Sequence, residues 1–235
     1  MTRPRTAAVF FDVDFTLIYP GPKFQGAGYA EFCGRYGLDV DPERFPEAVI
    51  AAAAVLDDQQ DHIYDAGVFV RYTSRIIEAM GGSGDQVEPC AREIYAEWAA
   101  CQHFYLYDDV TAVLRDLSAR GLKIGLISNS HRCLVSFQQH FDLHDLISAA
   151  VSSSEHGYLK PHPSIFESAL SRAGVAAAES VMVGDSVAHD IDGARAVGMR
   201  GVLVHRSPDV PPQPPPGVPV IHDLSELPAL LTSGW

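Results

Sequence analysis

An α/β fold is predicted: a parallel, Rossmann-like sheet with helices on both faces, interrupted by an all-helical insertion. Three observations carry the prediction. After residue 105, short apolar runs alternate with helical periodicity, the pattern of strand–helix units that pair in parallel. A lone apolar run near the amino terminus precedes a long stretch of helical spacing without a convincing strand. Acidic and hydroxyl residues directly follow the apolar runs, at the carboxyl ends of strands where such sheets collect ligands.

Ala7 to Phe11 is compact and apolar, with valine and phenylalanine, as a buried strand requires. The spacing then turns helical. Tyr29, Phe32, Cys33 and Tyr36 share one face, as do Phe69, Tyr72, Ile76 and Met80, and Val87, Ala91, Ile94 and Trp98. Gly81-Gly82-Ser83-Gly84 separates the last two of these helices. The chain is therefore divided into an α/β core, 1–18 with 106–235, and an inserted helical unit, 19–105. In the core, Asp109 is placed to cap a helix whose Val110, Val113, Leu114 and Leu117 share a face, and Gly121 ends it. Lys123 to Ser128 is the next strand. Asn129 and Ser130 open the helix that follows, around Cys133 to Phe141, and Ala149 to Ser152 is a short strand. Pro163 stands at a first-turn position ahead of Ile165, Phe166, Ala169 and Leu170, with Gly174 closing that helix. Val181 to Gly184 and Gly201 to His205 are strands on either side of a helix at Gly193 and Ala194. Pro208 to Pro219 reads as a stiff extended link, and Val220-Ile221 with Leu224 to Leu231 add a last strand and helix.

The 235 residues are long enough to bury a sizeable core, and 47% hydrophobic with 20% charged content is ordinary for a globular protein. Net charge is −13, from 30 acidic and 17 basic residues, which argues against nucleic acid and anionic membrane surfaces as partners. Any phosphate site must then be made locally positive by a metal, a lysine and backbone N–H groups. Cys33, Cys90, Cys101 and Cys133 show no metal-binding spacing and read as free thiols in a reducing compartment. The amino-terminal apolar stretch is too short for a signal peptide, and no 18-residue apolar run is present to span a bilayer. A cytoplasmic monomer or homodimer is expected.

Asp12 and Asp14 follow the first strand, and in an extended chain residues two apart point the same way. One carboxylate can attack phosphorus to give an aspartyl-phosphate, and the other can act as general acid and then as base. Their charge states must differ: a metal keeps Asp12 ionised, while a like charge nearby raises the pKa of Asp14. Asp185, directly after Val181 to Gly184, suits a second carboxylate ligand for Mg2+. Asp190 is placed either to steady a basic partner or the metal's water shell, or to cap a helix. Ser128 and Asn129 offer a hydroxyl and N–H groups to a phosphate oxygen. Lys160, its backbone restricted by Pro161, can neutralise phosphate and nucleophile together. Four aspartates and a phosphate dianion total about −6 against +3 from Mg2+ and Lys160, so the site should fail without its metal.

At these residues the chain resembles the haloacid dehalogenase superfamily, in its phosphatase branch with a helical cap inserted after the first motif. Asp12-Val13-Asp14-Phe15-Thr16 is similar to the first motif, Ser128 to the second, Lys160 to the third, and Gly184-Asp185-Ser186 through Asp190 to the fourth. The resemblance implies Asp12 as nucleophile and Asp14 as acid/base. It also implies Mg2+ held by the Asp12 and Asp185 side chains and the Asp14 carbonyl, with Thr16 and Asp190 supporting. Phe15 departs from the glycine common in that slot.

The leading expectation is a Mg2+-dependent phosphatase acting on a small phosphorylated metabolite, since a closing cap excludes a folded protein. A 2-haloacid dehalogenase shares the nucleophile but has no acid two residues after it. A sugar-phosphate mutase uses the same pair of aspartates. A catalytically silent binding module is the non-enzymatic alternative, against which stands the retention of every charged motif residue.

Overall fold

The computed structural model describes residues 5–57, 61–207 and 213–233. It contains β1 (Ala8–Phe11), β2 (Ile18–Pro20), β3 (Phe104–Leu106), β4 (Lys123–Ser128), β5 (Ile147–Ser152), β6 (Ser180–Gly184), β7 (Arg200–Val204) and β8 (Val220–Ile221). Six of these form one sheet in the order β5-β4-β1-β6-β7-β8, with every neighbouring pair parallel. β1 is central: Phe11 is level with Leu126 on one side and Val183 on the other. The sheet is buried on both faces, so its strands are apolar runs rather than alternating ones; all four residues of β1 and all five of β6 are buried.

The chain divides into two compact units, 1–19 with 106–235, and 20–105. In the first, the helix Val110–Ala119 buries Val110, Val113, Leu114 and Leu117. The helix Pro163–Ala173 begins on proline, ends on Gly174 at φ 62°, and buries Ile165, Phe166, Ala169 and Leu170. These form one cluster with Phe10, Ile127, Val151 and Met182 from the sheet. In the second unit the helices Gly26–Arg35, Phe45–Ala52, Ala54–Asp57, Ala66–Ala79 and Val87–Trp98 enclose a core that includes Phe32, Ile76, Ile77, Met80 and Ile94.

Four local expectations need correction. The insertion was expected to lack strands, yet β2 and β3 pair where the chain leaves the sheet and returns; three residues each are too few to show alternation. Residues 129–133 form bends, and the helix begins only at Leu134. The Asn129 side chain is spent on the backbone of Lys160, and Ser130 Oγ accepts from Arg132 N at 3.0 Å, so neither caps a helix. Asp109 stands before its helix without capping it, because its carboxylate pairs with Arg206 and accepts from Leu224 N. A π-helical stretch, Val187–Asp192, precedes the short helix Gly193–Ala196. Of the proline-rich link, 208–212 lie outside the described residues.

Candidate active site

The carboxyl ends of β1, β4 and β6 bring three of the sequence motifs to one edge of the sheet, and the segment after β5 adds the fourth. Beyond β1 the chain turns tightly. Asp12 N donates to Val183 O at 2.9 Å, and Leu17 N and Ile18 N both donate to Val13 O. Phe15 sits inside that turn at φ 63°, a left-handed conformation that costs a non-glycine residue energy. This accounts physically for why glycine suits that slot. The Phe15 side chain is 46% exposed.

Lys160 is the hub. Its buried ammonium donates to Asp12 Oδ1 at 2.5 Å, to Asp190 Oδ1 at 2.6 Å and to Ile127 O at 2.9 Å. An ammonium has three protons, and all three are used. In this arrangement Lys160 neutralises the carboxylates of Asp12 and Asp190. Its backbone is pinned as well: Lys160 N donates to Asn129 Oδ1 at 2.7 Å, and Asn129 Nδ2 donates to Lys160 O at 3.0 Å. The Asn129 side chain is therefore a strut between two motifs.

Asp12, Asp185 and Asp190 each place a carboxylate oxygen within 4.8 Å of the others. Asp190 reaches in because Gly184 has no side chain; a Cβ there would lie 2.2 Å from Asp190 Oδ2. Asp190 Oδ2 also accepts from Ser186 N at 3.0 Å. Burial pushes Asp12 up to about 7, with Asp190 and Asp14 adding to the rise and Lys160 opposing it. Burial, together with Asp12 and Asp190, also holds Asp185 well above the ordinary carboxylate range. Burial pulls Lys160 down, but Asp12 and Asp190 outweigh it and keep the ammonium charged. Close carboxylates carrying more charge than one lysine offsets are what a hard dication with oxygen ligands fits. The donor set thus matches Mg2+.

Asp14 lies outside that cluster. Its two oxygens accept from Arg132 Nη1 at 2.9 and 3.0 Å. Its surroundings are thus not the purely like-charged ones expected from the sequence. Arg132 is 1% exposed and was missed; an arginine in a Ser-His-Arg-Cys segment carries no pattern that separates it from a solvated one. Ser128 Oγ and Thr16 Oγ1 are buried and lack a hydrogen-bond partner among the described residues. Buried hydroxyls without partners are costly, and at this edge they suit ligand oxygens. The Thr16 carbonyl accepts from Arg206 Nε and Nη2 at 3.1 and 2.9 Å. That guanidinium also pairs with Asp109 and lies 3.8 Å from the Tyr107 ring centroid. Among the described residues, no helix is long and apolar enough to cross a membrane.

A doubly covered parallel sheet with carboxylates, a buried lysine and unpartnered hydroxyls at its carboxyl edge defines an α/β protein with a polar ligand site at the strand ends. The family model described as haloacid dehalogenase-like hydrolase matches residues 6–198, and the chain belongs to that family. The chain is 34% identical over 145 residues to "Haloacid dehalogenase-like hydrolase domain-containing protein 3" of Bos taurus, covering 62% of this chain and 58% of that one. It is 31% identical over 201 residues to the "Ribulose-1,5-bisphosphate 5-phosphatase" of Halopiger xanaduensis, covering 83% of each. Its fold is similar to the crystal structure of the hydrolase YfnB from Bacillus subtilis bound to magnesium, with a TM-score of 0.73 at 17% identity, covering 97% of this chain and 99% of that one.

Proposed function

We propose that this hydrolase is a Mg2+-dependent phosphatase of a small phosphorylated metabolite, working through a phosphorylated Asp12. The observation that carries the reading is the Asp12–Lys160–Asp190 arrangement, a buried carboxylate held beside a cation at the edge of the sheet. Asp12 Oδ attacks phosphorus and the leaving oxygen departs, taking a proton from Asp14. Water then gives that proton back to Asp14 as its oxygen attacks phosphorus and the Asp12–phosphorus bond breaks. Lys160 and Asp190 fix the Asp12 carboxylate, and Ser128 Oγ, buried without a partner, receives a phosphoryl oxygen.

Asp12 and Asp185 side chains and the Asp14 carbonyl are the groups that would hold Mg2+, with Asp190 supporting. Bound there, the metal supplies positive charge to the transferring phosphoryl group. The relative from Halopiger xanaduensis, named a phosphatase, supports a small phosphorylated substrate. Asp14 supports phosphatase over dehalogenase chemistry, because a halide leaving group needs no proton. Four cysteines without a disulfide fit a reducing compartment, and we read the protein as cytoplasmic on that ground.

Phosphate release from p-nitrophenyl phosphate with and without added Mg2+ tests the reading. Turnover that requires the metal is expected. No turnover of any phosphate monoester in a panel of sugar, nucleotide and organic-acid phosphates would overturn it.

A further inference from the structure

Arg132 is among the largest fully buried side chains of the chain, and the reaction outlined above gives it no task. Burying a guanidinium costs several kcal/mol, and an ion pair rarely returns more than that to stability. Packing alone would be served as well by a methionine or leucine. The side chain nevertheless ends on both oxygens of Asp14, 118 positions away in sequence. Its own segment is anchored at several points. Arg132 N donates to Ser130 Oγ, Ser130 O accepts from Ser153 Oγ and Ser154 N, and Asn129 bridges the Lys160 backbone. The guanidinium is thus rigidly presented, and it holds the one carboxylate of the site that lies outside the metal-type cluster.

We propose that Arg132 is a positioning residue that fixes the carboxyl group of Asp14 for proton transfer to and from the reacting oxygens. The inference rests on the phosphatase reading and deepens it. A short aspartate has several rotamers, and pinning both oxygens leaves it one direction in which to deliver a proton. Its loss therefore falls on the proton-transfer part of the reaction and spares phosphoryl transfer to a good leaving group. General acid–base catalysis contributes about 10²–10⁴-fold, so misdirecting it through Arg132 should cost a part of that, roughly ten- to a hundredfold.

The test compares kcat/KM on p-nitrophenyl phosphate, whose leaving group departs without a proton, and on phenyl phosphate, whose leaving group needs one. With Mg2+ present, Arg132→Met should lose at least about tenfold more on phenyl phosphate than on p-nitrophenyl phosphate. Arg132→Lys, which keeps a cation, should recover part of the difference, and it carries the test if the methionine variant fails to fold. In an Asp14→Asn background the Arg132 substitutions should change neither substrate further. Equal losses on both substrates, or an undiminished effect without the Asp14 carboxylate, would overturn the proposal in favour of a merely structural arginine. If the wild-type protein releases phosphate from neither substrate nor any other monoester, the phosphatase reading itself falls and this inference falls with it.

Discussion

The Lys160 ammonium lies 2.5 Å from Asp12 Oδ1, although 148 residues separate the two in the chain. The contact exists because β1 sits in the middle of the sheet and its end faces the segment that follows β5. The geometry of the site depends on this pairing of two distant segments of the chain.

Removing the lysine should be costly. Lys160→Met leaves Asp12 and Asp190 buried with no cation between them, and breaking such a pair costs about 3–5 kcal/mol. Urea unfolding in the absence of divalent ions, at a pH above the raised value of Asp12 so that its carboxylate is ionised, measures it. A loss below about 1 kcal/mol would mean that the pair is effectively solvated.

Stability should depend on pH in a definite direction. Asp12 is raised from 3.8 to about 7, so between those values the folded protein holds a proton that the unfolded chain has released. Stability therefore falls as pH rises through that window. A divalent cation competes with that proton, so Mg2+ should raise Tm more near pH 7.5 than near pH 5. Thermal unfolding at the two pH values, with and without Mg2+, checks this; equal shifts would contradict it.

Gly184→Ala should disable the site from behind. The new Cβ would lie 2.2 Å from Asp190 Oδ2, forcing that carboxylate away from Lys160. Overpacking of this kind typically costs about 1–3 kcal/mol. Activity should fall together with stability, and Gly34→Ala serves as the control, since a Cβ there would meet nothing within 4 Å.

The fold was legible where local pattern and tertiary burial agree. Lys123–Ser128 and the buried face Val110, Val113, Leu114 and Leu117 were read directly, since a buried parallel strand is a plain apolar run and an amphipathic helix repeats its buried positions. The gathering of Asp12, Lys160 and Asp185 was legible because each follows a strand end or the loop beyond one. Three other features were not. Asp109 looked like a cap, but Arg206, Leu224 and Asp109 meet only through the order of the sheet. Nothing around Asn129 signalled that its side-chain amide matches the backbone of a residue 31 positions away. Arg132 could not be told from a surface arginine, because its burial is fixed by a bend whose geometry comes from Ser130 and Ser153. Sequence pattern shows where a strand ends; it does not show which distant polar group its side chains meet.

The most direct measurement of the central claim is the fate of the phosphoryl group during turnover. The enzyme is mixed with substrate and Mg2+, quenched in acid, digested and analysed by mass spectrometry. The account predicts a phosphate-mass increment on the peptide containing Asp12, absent from a folded Asp12→Asn variant that no longer turns over. An increment on a different residue, or undiminished hydrolysis by Asp12→Asn, would contradict it.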